Sequence, residues 1–243
     1  MNQAIETFKE QIKESQHIVF FGGAGVSTAS GIPDFRSSNG LFVKSLGTHY
    51  SAEEVVSHDF FMNHPKEYFD FHFKYLVYTK AKPNKAHHYL SELENQGKDV
   101  TIITQNIDGL HQMAGSKHVL ELHGTVLDNY CLTCKKHYSI EELERDVDGI
   151  PRCNIDQGIV RPNIVLYQEG LNQKVIQQSV EALSKADMLI VAGTSLVVYP
   201  AAGLINYYQG NRFVVINKSK IQTGRLKGLV FNESIIDVFD QLS

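Results

Sequence analysis

The sequence predicts an α/β fold, a doubly wound and mostly parallel sheet with a smaller inserted module, and three observations carry that prediction. Short apolar runs alternate with amphipathic stretches of helical period, as parallel strands require because each must be joined to the next by a crossover. Glycines and small polar residues gather directly after the apolar runs, where open sheets of this class bind ligands. Two stretches interrupt the alternation and read as a separate module. The 243 residues, 42% of them hydrophobic, suffice for the core of one domain.

Ile5, Phe8 and Ile12 recur at helical spacing, so residues 3–15 read as an amphipathic helix. Residues 18–21 follow as a buried strand. A helix over 86–96, closed by Gly97, leads into a second strand at 100–103. Helices over 173–184 and 200–208 flank a third strand at 187–192, and 213–216 forms a fourth. A short apolar strand precedes His123. The interruptions are 40–83, rich in aromatics and histidine, and 131–162, which holds all three cysteines.

Lys and Arg number 23 against 27 Asp and Glu, a formal charge of −4, and the two signs are interspersed. Direct nucleic-acid binding is therefore not expected. No apolar run approaches the ~20 residues that span a bilayer, and no basic-then-apolar signal opens the chain, so no membrane association and a cytoplasmic location are expected. An odd number of cysteines makes no disulfide framework; free thiols or a metal site remain.

The first strand runs into Gly22-Gly23-Ala24-Gly25-Val26-Ser27, small residues that let a backbone approach a pyrophosphate. The second runs into Thr104-Gln105-Asn106-Ile107-Asp108-Gly109, the third into Gly193-Thr194-Ser195, and the fourth into Asn217-Lys218. Any one of these is ordinary turn chemistry. Four at one sheet edge more readily form a dinucleotide site. In Gly31-Ile32-Pro33-Asp34-Phe35-Arg36, Asp34 can pair locally within a turn, or Phe35 can shield a ring while Arg36 faces phosphate or ribose. His123 follows Leu122 and precedes Gly124; a neutral imidazole there can take a proton from a hydroxyl. The other ten histidines, including His87 and His88, are assigned no role.

Taken together, Gly23-Ala24-Gly25-Val26-Ser27, the 31–36 segment, Thr104 to His111, His123-Gly124 and Gly193-Thr194-Ser195 closely resemble the sirtuin family of bacterial type, in the family order and over nearly the whole chain. The resemblance implies a single catalytic domain over 1–243. Its Rossmann-like large part would comprise about 1–39, 84–126 and 163–243. The small module, part helical and part zinc-ribbon-like, would comprise about 40–83 and 127–162. It implies an NAD-dependent protein-lysine deacylase, a deacetylase by expectation, acting on acyl-lysine proteins or peptides and releasing nicotinamide and O-acyl-ADP-ribose. Protein mono-ADP-ribosyl transfer from the same NAD site is the alternative. Position by position, Ala24, Gly25 and Thr28 would line the phosphates, and Asp34, Phe35 and Arg36 would close over the nicotinamide end. Gln105, Asn106, Ile107 and Asp108 would hold the nicotinamide ribose and carboxamide, and Gly193, Thr194, Ser195, Asn217 and Ile235 the adenosine half. His123 would be the general base, with Asn106 and Asp108 as catalytic partners, and Val165 and Tyr167 would contact substrate.

The chain departs from the family at three places. Of two Cys-x-x-Cys pairs that hold a structural zinc, Cys131 and Cys134 are intact, while the second reads Cys153-Asn154-Ile155-Asp156; Asp156 would be the fourth ligand, with His137 as substitute, or the module is metal-free. Tyr167-Gln168 stands where the family usually has Phe-Gly, which restricts the backbone of the substrate strand. Residues 71–75 lack the tyrosine and arginine, three apart, of members that prefer acidic acyl groups, so uncharged groups are expected, with Lys74 and His72 as the cations that could attract an acid.

Overall fold

The computed structural model describes residues 2–37, 40–42 and 50–242. The boundary at residue 39 and part of the 40–83 stretch, residues 43–49, lie outside the described residues.

Strands β1 (His17–Gly22), β2 (Asp99–Thr104) and β3 (Val119–Glu121) form one half of the main sheet. The chain then leaves it for an antiparallel sheet of β4 (Gly124–Cys131), β5 (His137–Ser139) and β6 (Val160–Ile164), in the order β5-β4-β6, and returns with β7 (Met188–Ala192), β8 (Arg212–Ile216) and β9 (Leu229–Phe231). The main sheet runs β3-β2-β1-β7-β8-β9, with every pairing parallel. The strand order therefore reverses between β1 and β7, which opens a crevice at their carboxyl ends.

Alternate side chains of β1 enter two cores. Ile18 and Phe20 join one with Ile5, Phe8 and Ile12 of α1 (Asn2–Glu14), while Val19 and Phe21 join the other with Leu183. Helix α2 (Ala52–Val55), α3 (His58–Asn63) and α4 (Pro65–Tyr75) surround a third core of Phe60, Phe61, Tyr68 and Phe69 beside the small sheet. Helix α5 (Lys85–Asn95) ends as the sequence suggests: Gly97 has φ 91°, its N–H reaches the Glu94 carbonyl, and the Lys98 N–H reaches that of Leu93. Helix α6 (Leu110–Met113) follows the second strand-end loop, α7 (Gln173–Lys185) is capped by the Asn172 side chain, and α8 (Ile235–Leu242) closes the first core.

Two expectations need correction. The segment expected as a helix over 200–208 is a 3₁₀ helix, Ala201–Tyr207. Its buried residues, Ala201, Ala202, Leu204 and Ile205, fit a helix of either pitch, and Gly203 weakens α preference. The sheet also has more strands than the four main runs plus the short one before His123, because β9 is only three residues long and carries no alternation of its own. No helix among the described residues is long and apolar enough to cross a membrane.

Candidate active site

The loops after β1 and β7 touch. Gly23 and Gly25 donate backbone hydrogen bonds to the carbonyls of Ala192 and Gly193, at 3.1 and 2.9 Å. A Cβ on Gly25 would sit 2.8 Å from the Gly193 Cα, and Gly193 itself has φ 61°. Only glycine fits either place. This contact forms the floor of a cleft of about 680 Å³, a volume suited to a sizeable small molecule.

Ala24, Gly25, Thr28, Asp34, Phe35 and Arg36 line the cleft from the first loop, and Gln105, Asn106, Ile107 and Asp108 line it from the second. His123, Val165 and Tyr167 form its far side; Gly193, Thr194, Ser195, Asn217 and Ile235 lie toward β7, β8 and α8. The structure thus gathers in one crevice every residue for which the family resemblance implied a catalytic, NAD or substrate contact.

A polar network joins the loops. Asn106 Nδ2 donates to Ser27 Oγ at 3.0 Å, and Ser27 Oγ donates to Asp108 Oδ2 at 2.6 Å. Asp108 Oδ1 accepts the Leu110 N–H at 2.9 Å, which fixes the carboxylate at the start of α6. Burial raises the Asp108 carboxyl above its ordinary range, against the opposing pull of these hydrogen bonds. Gln105 Nε2 donates to Thr194 Oγ1 at 3.2 Å, bridging the second and third loops.

His123 is half-buried, two residues after β3 and directly before β4. Its Nδ1 lies 2.9 Å from the Gln105 carbonyl, which can only accept, so Nδ1 carries the proton and Nε2 presents a lone pair. Burial lowers its pKa; the Gln105 carbonyl opposes that, and the positive Arg36 adds to it. The imidazole is therefore neutral near pH 7 and able to act as a base. The Val165 N–H bonds the His123 carbonyl at 2.9 Å, tying the strand that leaves β6 to this residue.

Arg36 resolves the two readings of its segment in part. Asp34 Oδ1 accepts the N–H groups of Arg36 and Ser37, a local turn. The Arg36 guanidinium turns into the cleft instead, donating to Tyr167 Oη at 2.8 Å and lying 3.6 Å from Glu53. Of residues 71–75 only Tyr75 lines the cleft. His72 is fully buried, its pKa pushed by burial down to about 3, and the Lys74 ammonium sits 5.0 Å from the Tyr75 ring centre. Neither reaches the crevice as a cation.

Sequence reasoning missed two supports. Asn84 caps α5 and its Nδ2 donates to the Val26 carbonyl and Ser30 Oγ, steadying the first loop; an asparagine just before a helical run is a cap signal that was available. Arg161, 5% exposed, makes a two-pronged pair with Glu169 at 2.6 and 3.0 Å across the turn that follows β6. Burial works against ionised Glu169, yet Arg161 and His58 hold its carboxyl below the usual range. No local pattern marks that pair.

Away from the cleft, the thiols of Cys131, Cys134 and Cys153 and a carboxylate oxygen of Asp156 all lie within 4.8 Å of one another. Ligands on a tetrahedral zinc stand about 3.5–3.8 Å apart given ~2.3 Å Zn–S bonds, and here Cys134 and Cys153 are 3.6 Å apart, Cys131 and Asp156 3.3 Å. The Gly158 N–H, with help from the thiols, holds the Asp156 carboxyl down at about 2, burial opposing, so it stands ready as an anionic ligand. The four residues can hold zinc. His137 does not join them; its Nδ1 pairs with Asp128 at 2.8 Å.

With this geometry established, comparisons place the chain. The Sir2 family model matches residues 23–200. A Clostridium perfringens protein named NAD-dependent protein deacetylase is 55% identical over 236 residues, covering 97% of this chain and 96% of its own. A Staphylococcus aureus protein of the same name is 42% identical over 243 residues, covering 100% and 99%. A Sir2 structure described with a deacetylated p53 peptide and 3′-O-acetyl ADP ribose superposes with a TM-score of 0.89 at 37% identity, covering 98% of this chain and 96% of that one. A second, described as Sir2 with p53 peptide and NAD+, gives 0.84 at 37% identity with the same coverage. By sequence and by structure alike, this chain belongs to the Sir2 family.

Proposed function

We propose that the chain is an NAD-dependent protein-lysine deacylase that yields free lysine, nicotinamide and O-acyl-ADP-ribose. One observation carries the reading: His123, with Nε2 free, shares a single crevice with the loops of β1, β2, β7 and β8 and with the open backbone edges a peptide would need. Among the described residues the backbone N–H and C=O groups of Gln168 on one side, and of Ser195 and Val197 on the other, hold no hydrogen bond. An extended acyl-lysine peptide can pair with both edges and send its side chain inward between Val165 and Tyr167.

The glycine loop and Thr28 hold the pyrophosphate, Asp34, Phe35 and Arg36 cover the nicotinamide end, and Gln105 to Asp108 hold the ribose and carboxamide. Gly193 to Ser195, Asn217 and Ile235 take the adenosine. The acyl oxygen attacks C1′ of the nicotinamide ribose as nicotinamide leaves with the bond pair. A crevice that excludes water protects that electron-poor carbon and keeps the acyl oxygen within reach. His123 Nε2 then removes a ribose hydroxyl proton, and the 2′-oxygen captures the acyl carbon; hydrolysis of this adduct frees lysine. Zinc, bound by Cys131, Cys134, Cys153 and Asp156, would brace the small module and take no part in these steps. Three unpaired thiols suit a reducing compartment, and a cytoplasmic location follows.

Incubation with NAD and an acetyl-lysine peptide tests the reading. Nicotinamide release coupled to deacetylated peptide supports it; ADP-ribose retained on protein supports transfer instead.

A further inference from the structure

Gln168 stands where a glycine would be the simplest choice. Its φ is 74°, the left-handed region that side chains disfavour. It lines the crevice, and its own backbone N–H and C=O are without partners among the described residues. The strain is met by a latch. Gln168 Oε1 accepts the Asp59 N–H at 3.0 Å, and Gln168 Nε2 donates to Asp59 Oδ2 at 2.9 Å. Asp59 lies in the first turn of α3, where backbone N–H groups have no partner within the helix, so the glutamine caps that helix as it fixes its own loop. Directly before it, the Tyr167 N–H bonds the Val56 carbonyl and the His58 N–H bonds the Tyr167 carbonyl, both at 3.0 Å. Directly after it, Glu169 accepts from Arg161 and meets His58 Nδ1 at 2.9 Å. Three consecutive residues of the substrate edge are thus anchored to the entry of α3, and the middle anchor is a side chain that glycine would lack.

We infer that Gln168 is a positioning residue whose amide latch to Asp59 holds the substrate edge in its left-handed turn and presents a preformed pairing surface to the peptide backbone. A glycine loop must be ordered by each peptide that binds; this one is ordered beforehand, so the latch acts on peptide capture rather than on chemistry or NAD binding. The inference rests on the deacylase reading for its substrate, but the latch itself can be read without substrate.

The test uses the full chain as wild type, Gln168→Gly, Gln168→Glu and the double variant Gln168→Glu with Asp59→Asn. In Gln168→Glu the introduced carboxylate can still accept the Asp59 N–H but repels the Asp59 carboxylate, which breaks the side-chain half of the latch. Adding Asp59→Asn restores it, since the introduced amide can donate to the new carboxylate while the backbone N–H of that residue still finds an acceptor. Expected is a rise of about fivefold in the KM for an acetyl-lysine peptide in both single variants, kcat and the KM for NAD staying within about twofold, and recovery to within about twofold of wild type in the double variant. Hydrogen exchange over 56–63 and 165–170 should rise in the single variants and return in the double, with no substrate present. An unchanged peptide KM in Gln168→Glu, or a double variant no better than the single, overturns the inference. If wild type deacetylates nothing, the deacylase reading fails, and equal exchange in all four proteins would then sink the latch separately.

Discussion

Replacing His123 with alanine tests the proposed base. The imidazole is held by one hydrogen bond, Nδ1 to the Gln105 carbonyl at 2.9 Å, so truncation costs the fold only about 0.5–1.5 kcal/mol and the protein should remain folded. The NAD contacts proposed for the glycine loop, for the loop held by the Asn106–Ser27–Asp108 network and for the β7 and β8 ends would be untouched. Binding of NAD, read by calorimetry, should stay within about threefold. Deacetylation should fall by about 10²–10⁴-fold, the usual worth of a positioned general base, which is roughly 3–5 kcal/mol of barrier. The pH profile gives a second reading. Burial lowers the His123 pKa, so its base form persists as pH drops past the ordinary imidazole value of about 6.5, and activity should decline only below that. Turnover of the alanine variant within tenfold of wild type, or an acid limb centred above that value, would refute the assignment.

Other outcomes follow from the same geometry. Purified protein should carry about one zinc per chain, and Asp156→Ala should lose it and melt lower while Asp156→Cys keeps it; metal analysis showing far less than one zinc in wild type contradicts the site. Arg161→Met leaves the half-buried Glu169 with only His58 and the Leu166 N–H, at a cost of about 1.5–3 kcal/mol, or roughly 3–12 °C in Tm by calorimetry for a chain of this size, and a fall of under about 2 °C would show that the pair does not brace the turn after β6. Acetyl peptides should turn over faster than succinyl ones, because His72 is buried and neutral, Lys74 lies outside the cleft and Arg36 is engaged by Tyr167 and Glu53; a clear succinyl preference in matched peptides defeats this.

Much of the architecture was legible because its signals are local. Strands at 18–21, 100–103 and 213–216 are apolar runs that the structure extends by one residue at the start and, for the first two, by one at the end, and Gly97 sits in the left-handed cap its position implied. The strand-end loops were legible as well, since four turns of small and polar residues follow buried strands that the alternation places in one sheet. The small module was less so. Its helices α2 to α4 are short, and their aromatics, Phe60, Phe61, Tyr68 and Phe69, pack on partners far along the chain, so no window of sequence sets their direction. The hold on the chain after β6 was hidden as well: Arg161 with Glu169 is visible only once β6 and its following turn are folded, and Gln168 with Asp59 joins residues 109 positions apart. The 3₁₀ segment Ala201–Tyr207 was misread because its apolar spacing fits a helix of either pitch.

The central claim is that an acyl group passes from lysine to the ribose of NAD inside the β1–β7 crevice. Mass analysis of every product formed from NAD and an acetyl-lysine peptide tests it most directly. Deacetylated peptide, nicotinamide and an acetylated ADP-ribose are expected in equal amounts. Free acetate with intact NAD, or ADP-ribose left covalently on protein, would contradict it.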